Sequence, residues 1–270
     1  VWSPLDALDS SSSKIPVMVW IHGGSNVSGN SDFYDPSELV KTQNVIVVSI
    51  NYRLGPFGWF RHPNITSNSE NAEDQSGNYG NLDTVQALEW VQKNIGYFGG
   101  DASNVTIFGE SAGGYNVAAL LSAKNAKGLF HKAIIQSGGI KPGDIDHSES
   151  YLEENLPWKN YSSRELVNQL ILNKGMATDR DSAKSLQEGM SHSEIEGLMR
   201  NASSEEIFQA YLTTKINTNE MLRPFPDGFV LSELGVLGSL ESGFNSDIPI
   251  MIGTNRDEMK LFLLDNPRLT

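Results

Sequence analysis

The stretch Val105-Thr106-Ile107-Phe108-Gly109-Glu110-Ser111-Ala112-Gly113-Gly114 decides how this chain is read. Val105 to Phe108 is an apolar, β-branched run of strand length, and Gly114 to Ser122 reads as helix. The Gly-x-Ser-x-Gly pattern from Gly109 to Gly113 therefore falls on a strand-to-helix turn. A serine on such a turn is held out at the sheet edge, and small residues flank it because neighbouring backbone comes too close for a Cβ. The turn also sets the Ala112 backbone N–H at a helix N-terminus, where free donors and the dipole favour a developing anion. Ser111 is thus the candidate nucleophile, and a glycine-rich turn with an incidental serine is the alternative.

Upstream, the apolar run Pro16 to Ile21 leads into His22, Gly23, Gly24, Ser25 and Asn26. Glycines there let the backbone curl around a substrate oxygen, so the loop is a candidate second source of oxyanion donors. An ordinary flexible turn is the other reading. Val45 to Ile50, Ala133 to Gln136 and Ile248 to Ile252 are further apolar runs without alternation, which predicts a mostly parallel sheet covered on both faces by helices. Leu82, Val85, Leu88, Val91 and Ile95 recur at helical spacing and predict an amphipathic helix capped by Asn81. From about 148 to 245 the composition becomes more polar and strand-like runs stop. The pairs Ser162 with Glu165, Ser191 with Glu194 and Ser203 with Glu206 match capping boxes there and predict a helical insertion or cap. The whole order predicts one α/β domain over 1–270 carrying a helical cap region.

The 270 residues carry 33 Asp plus Glu against 20 Lys plus Arg, a net charge of −13. Clustered cations that release counterions are what bind nucleic acid, so neither nucleic acid nor an anionic membrane surface is an expected partner. Without a cysteine there is no disulfide, thiolate metal site or cysteine nucleophile. No His-x-x-x-His spacing on a helix suggests a metal, and no cofactor is implied. Apolar runs fall far short of the ~20 residues that span a bilayer. No leader is visible at Val1, and a secreted or periplasmic location would need one ahead of it. Ser11 and Lys14 match Ser-x-x-Lys only in the polar linker of Ser10 to Ser13. Asn26, Asn64, Asn104, Asn160 and Asn201 begin glycosylation sequons, of which the one at Asn26 would obstruct the glycine loop.

These motifs together resemble the type-B carboxylesterases, the family that includes cholinesterases and cholinesterase-like adhesion proteins. Val19 to Gly24, Asn51 to Gly55, Gly77 to Asp83, Phe98 to Asp101, Val105 to Gly114, Gln136 to Gly138 and Gly253 to Glu258 stand in family order. The resemblance covers nearly the whole chain, most weakly over 144–218, and implies an α/β-hydrolase fold. It further implies hydrolysis of small-molecule carboxylic esters through an acyl-enzyme and a Ser-Glu-His triad. Carried over by position, Ser111 is the nucleophile and Glu258 the triad carboxylate, while Gly24, Ser25 and Ala112 supply oxyanion N–H groups. Glu110 matches a position beside the triad that assists it electrostatically. Phe225, within Arg223 to Gly228, is either a lining residue of the acyl pocket or a core residue. A catalytically silent binding module of the adhesion type is the competing class of function.

The chain departs from the family pattern in places. Ser25 stands where a third glycine is usual, and a left-handed backbone there would cost about 1–2 kcal/mol. Met259 replaces the glycine common after the acid. The triad histidine belongs in a His-Gly segment well beyond Glu258, and the sequence as far as Thr270 shows none. His22 lies in the glycine loop, His131 in a structural stretch, and His62, His147 and His192 in polar loops or the cap. A serine hydroxyl is a weak nucleophile until an adjacent base takes its proton. The chain is therefore expected to be the middle portion of a longer esterase, cut at both ends, and to turn over little by itself.

Overall fold

Apolar runs of the sequence become parallel strands in a computed structural model, which describes residues 1–8, 14–66, 70–152, 162–214, 221–258 and 260. The Ser10 to Ser13 linker, the Asn160 sequon and Met259 lie outside the described residues. In chain order the elements are β1 (Ile15–Ile21), α1 (Ser37–Gln43), β2 (Ile46–Ile50), α2 (Pro63–Thr66), α3 (Ala72–Ser76), α4 (Tyr79–Asn94), β3 (Gly100–Glu110), α5 (Ala112–Leu120) and β4 (Lys132–Gln136). They continue with α6 (Ile145–Glu149), α7 (Ser163–Asn173), α8 (Arg180–Gly189), α9 (His192–Arg200), α10 (Ser204–Thr214), α11 (Gly235–Glu241) and β5 (Ile250–Gly253).

The sheet runs β2-β1-β3-β4-β5, with every neighbouring pair parallel. Trp2 adds an antiparallel bridge to Val47 at the β2 edge. This order contains a switch point: the chain leaves β1 for β2 on one side, then returns to lay β3 on the other. Connections leaving the carboxyl ends of β1 and β3 diverge, which opens a crevice between them. Because Ile21 is level with Gly109, the loop after β1 and the turn after β3 emerge side by side.

Val17, Val19, Ile21, Val105 and Ile107 are fully buried in one cluster with Leu88 and Val91 of α4 and Val117 and Leu120 of α5. Each such side chain contributes about 1.5–3 kcal/mol relative to exposure, so this face is a main source of hydrophobic stabilisation. Intervening residues Met18, Thr106 and Phe108 are only partly buried. Burial thus alternates along β3, where the unbroken apolar run predicted equal cover on both faces. Trp20, on the second face, packs with tilted rings against Tyr34 and Phe108 at centroid distances of 4.9 and 4.8 Å. At the far edge Ile250, Met251 and Ile252 of β5 are exposed.

The amphipathic helix forms, but it starts at Tyr79 rather than after Asn81. Asn81 lies inside its first turn, fully buried, accepting from Trp59 Nε1 at 3.1 Å and donating to Asn116 at 3.2 Å. Asn78 holds the N-cap position without capping, because its amide exchanges bonds of 2.7 and 2.9 Å with the Phe225 backbone. Tertiary partners have outcompeted local capping at both asparagines. Farther along, Arg53 forms a two-pronged ion pair with Asp83 at 2.8 Å and so ties the segment after β2 to α4.

Described residues from 148 to 245 form helices and loops. Ser162 and Ser191 accept from the Glu165 and Glu194 N–H groups, and reciprocal bonds close the Ser191–Glu194 and Ser203–Glu206 boxes. Glu165 does not reach back: its buried carboxylate takes Arg180 at 2.5 Å and the Leu152 N–H at 3.0 Å. Asp179 with Ser182 makes a further box, invisible to a pattern that requires Glu or Gln at its end. Leu166, Leu170, Ala210 and Tyr211 form a second core with Phe60, so Tyr211 is a packing residue. Among the described residues no helix is long and apolar enough to cross a membrane.

Arg180→Ala would take the guanidinium from the buried Glu165 carboxylate, leaving it the Leu152 N–H and Asn168 Nδ2, and would free the Leu152 carbonyl that Arg180 also binds at 2.7 Å. Since the arginine is partly exposed, the expected loss of unfolding free energy is about 1–3 kcal/mol, read from the urea midpoint. An unchanged midpoint would remove this pair from the account.

Candidate active site

Glycine at three positions around the junction of β3 and α5 is dictated by backbone contact. A methyl at Gly113 would sit 2.0 Å from the Ile21 carbonyl oxygen and 2.7 Å from that of His22. At Gly109 it would meet the Gly113 carbonyl carbon at 2.6 Å, and at Gly114 the Gly138 Cα at 2.9 Å. The chain can therefore turn sharply from β3 into α5 against the end of β1. Ser111 bears the strain of that turn, with φ +54° and ψ −121°, a sparsely populated region that costs about 1–3 kcal/mol. Its N–H donates to Gln136 O at 2.9 Å and its carbonyl accepts from Tyr115 N–H at 3.1 Å, so the backbone is pinned on both sides. The side chain is half-buried, and its hydroxyl makes no hydrogen bond among the described residues.

The loop after β1 is folded against this turn. A methyl at Gly23 would lie 2.9 Å from the Glu110 carbonyl oxygen and 3.2 Å from Ser111 Cβ. Gly24 has φ +103° and Ser25 φ +58°. Ser25 thus accepts the left-handed strain that the family's glycine would avoid, about 1–2 kcal/mol. Among the described residues the backbone N–H groups of Gly24, Ser25 and Ala112 donate to no protein acceptor. Ala112 is the first residue of α5, so its free donor also carries the positive end of the helix dipole. His22 is buried, its Nδ1–H donating to Gly23 O at 2.7 Å while its ring stacks on Tyr52. Burial lowers its pKa and so favours the neutral imidazole, against the opposing effect of the Gly23 bond.

The acidic loop after β5 comes to the same end of the sheet. Glu258 Oε1 accepts from Asn255 N–H at 2.9 Å, Asn255 Nδ2 at 3.1 Å and Thr254 Oγ1 at 3.2 Å. Bonds from the Ser137 hydroxyl and the Asn255 backbone hold its carboxyl below the usual range. Glu110 moves the other way: lost hydration raises its pKa, and the Glu258 charge adds to the effect. Ser137 was not singled out by its sequence. It follows β4 at φ +47°, donates its N–H to Gly253 O at 2.8 Å and meets Asn255 Nδ2 at 3.3 Å, joining β4 to the acidic loop. Its signal was positional, a small polar residue just past a strand end in the switch-point crevice.

Phe225 is placed differently. It is 5% exposed in the main core, and no described contact joins it to Ser111. The bonds of His22, His62, His131 and His192 among the described residues go elsewhere than Ser111 and Glu258. His62 is fully buried against Gln187 at 3.0 Å, with burial pushing its pKa down to about 4. His131 Nδ1 accepts from Val105 N–H at 3.1 Å, and His192 pairs with the Asn64 carbonyl and, at 3.6 Å, with Glu196. Among the described residues no cluster of His, Asp and Glu could hold a metal ion.

The turn after β3 thus sets an unbonded serine hydroxyl against the glycine loop, and the Gly24, Ser25 and Ala112 N–H groups are unengaged among the described residues. Sheet order, strained turn and glycine loop define an α/β-hydrolase fold. A model of the carboxylesterase family matches residues 1–268, and the chain belongs to that family. The para-nitrobenzyl esterase of Bacillus subtilis (strain 168) is 38% identical over 258 residues, covering 95% of this chain and 46% of that protein. Carboxylesterase 1C of Rattus norvegicus is 36% identical, over 96% of this chain and 40% of its own. The crystal structure of the Geobacillus stearothermophilus carboxylesterase EST55 matches with a TM-score of 0.73 at 32% identity, covering 96% of this chain and 47% of that one. The chain thus spans a little under half the length of these relatives.

Two outcomes follow from this geometry. Gly113→Ala should destabilise the fold by several kcal/mol, whereas Gly96→Ala, with nothing within 4 Å of the added methyl, should be nearly neutral. Equal melting temperatures for the two variants would contradict the close approach. Second, because Glu110 titrates above its unfolded value, its ionisation opposes folding as pH rises through the carboxylate range. Glu258, held low, adds stability that is lost as pH falls through its own range. Glu258→Gln should lower the Glu110 titration midpoint measured by NMR, and an unmoved midpoint would show that the two charges do not meet.

Proposed function

We propose that the whole protein hydrolyses carboxylic esters by way of an acyl-enzyme formed on Ser111. The observation carrying this reading is the half-buried, unbonded hydroxyl on a strained turn, with the unengaged N–H groups of Gly24, Ser25 and Ala112 beside it. Ser111 Oγ attacks the ester carbonyl carbon as its proton passes to a general base. The carbonyl oxygen becomes an alkoxide held by the three N–H groups, each such donor being worth roughly 2.7–4 kcal/mol to the transition state. Collapse of the tetrahedral species expels the alcohol, which receives the proton from the base, and water repeats the sequence to release the acid.

The base in this reading is a histidine supplied from outside the described residues, oriented by Glu258. Bonds from Ser137, Asn255 and Thr254 favour the ionised form of Glu258, the form that stabilises an imidazolium. Glu110, whose carboxyl lies close to Gly23 and feels the Glu258 charge, adds negative potential that favours the same cation. In the domain organisation we propose, 1–270 is part of one α/β-hydrolase domain, and the helices over 148–245 form its cap.

A para-nitrobenzyl ester, the group in the name of the Bacillus subtilis relative, and a p-nitrophenyl ester are suitable probes. With the whole protein, Ser111→Ala should lower kcat by about 10⁴- to 10⁶-fold while the melting temperature holds, since alanine keeps the Cβ and the lost hydroxyl makes no hydrogen bond among the described residues. Undiminished hydrolysis by that variant would defeat the enzyme reading and leave a binding role.

A further inference from the structure

The glycine loop ends in a residue that ester chemistry does not itself require. Asn26 is fully buried and left-handed at φ +62°, directly after Ser25. Its side chain is tied at both ends: Oδ1 accepts from Asn116 Nδ2 at 2.9 Å, and Nδ2 donates to the Leu222 carbonyl at 2.6 Å. Asn116 belongs to α5, the helix that begins with Ala112. Its Oδ1 accepts from Asn81 Nδ2 at 3.2 Å, and Asn81 Oδ1 accepts from the Trp59 indole N–H at 3.1 Å. Trp59, Asn81, Asn116 and Asn26 are all at most 1% exposed.

The polarity of this chain of amides is fixed from both ends. An indole N–H can only donate, so Asn81 must turn its oxygen to Trp59 and its nitrogen to Asn116. A backbone carbonyl can only accept, so Asn26 must turn its nitrogen to Leu222 and its oxygen to Asn116. Every amide orientation is thereby determined, and no member can flip without leaving a buried group unpaired. The loop backbone is pinned as well, Ser25 O accepting from Leu222 N–H at 3.2 Å and Asn26 O from Gly55 N–H at 2.7 Å.

We propose that Asn26 and Asn116 are positioning residues for the oxyanion hole, their mutual bond setting the Gly24 and Ser25 donors at a fixed distance from the Ala112 donor. The inference rests on the esterase reading above. It follows from where the donors originate: two come from the loop after β1 and one from α5, and the Asn26–Asn116 bond links those elements through buried side chains. A displacement near 1 Å at a reacting centre costs on the order of 100-fold in rate.

The test uses the whole protein and four variants, Asn116→Leu, Asn26→Gly, the double variant and Ser111→Ala. Asn26→Gly tolerates the left-handed backbone and keeps the test available should Asn116→Leu fail to fold. Each single variant should lower kcat by about 10- to 100-fold, with KM changed less than about threefold. The Ki of a trifluoromethyl ketone, whose adduct places an anionic oxygen in the hole, should rise in parallel with the fall in kcat. Acting through one bond, the two substitutions together should cost little more than either alone. If Ser111→Ala abolishes hydrolysis but the folded asparagine variants keep wild-type kcat and ketone affinity, or change only the melting temperature, the positioning role is overturned. If Ser111→Ala retains hydrolysis, the esterase reading itself fails and the inference falls with it.

Discussion

Close approach of two backbones governs this structure: the turn after β3 lies against the carbonyls of Ile21 and His22, with no room for a side chain at Gly113 or Gly109. Parallel pairing brings β1 and β3 level at Ile21 and Gly109, and the buried cluster around α4 and α5 holds them there. Ser111 takes a strained conformation on this turn, and its hydroxyl makes no cap bond to α5. Strain of this kind persists only where the surroundings over-determine it. Here the surroundings are two sheet neighbours and a helix start, all fixed by hydrophobic burial.

Electrostatics at the strand ends is arranged around that contact. The Gly24, Ser25 and Ala112 N–H groups are unengaged among the described residues, while Glu110, next to Ser111 in sequence, feels the charge of Glu258. These carboxyls are shifted in opposite directions because their hydration and hydrogen bonding differ. Glu258 is surrounded by donors and stays ionised, whereas Glu110 borders the glycine loop and loses water without gaining an equivalent set of bonds. Two like charges close together serve a site only if one is well solvated by protein dipoles, and Asn255, Thr254 and Ser137 fill that role for Glu258.

Features driven by local backbone sterics were legible in the sequence. Gly109, Ser111, Gly113 and Gly24 could be read because a backbone that excludes Cβ leaves glycines at fixed offsets. Strand runs were legible for the same local reason, although alternation of burial along β3 depends on which helices cover which face. Asn81 was misread as a cap because nothing local announces that its amide will be buried beside Trp59 and Asn116. Ser137 went unnoticed because its positive φ is a consequence of where β4 ends relative to β5. Glu258 could be picked out only through the family pattern, since one acid in a loop has no distinguishing spacing. Polar residues that act through tertiary hydrogen bonds are the part that sequence patterns do not encode.

The central claim is that Gly24, Ser25 and Ala112 aim their N–H groups at one point beside Ser111 Oγ. A crystal structure of the whole protein after reaction with an organophosphonate tests it directly. The account predicts a covalent bond from Ser111 Oγ to phosphorus, with the phosphoryl oxygen about 2.7–3.1 Å from those three nitrogens. A phosphonyl group on another residue, or one on Ser111 whose oxygen points into solvent away from them, would contradict it.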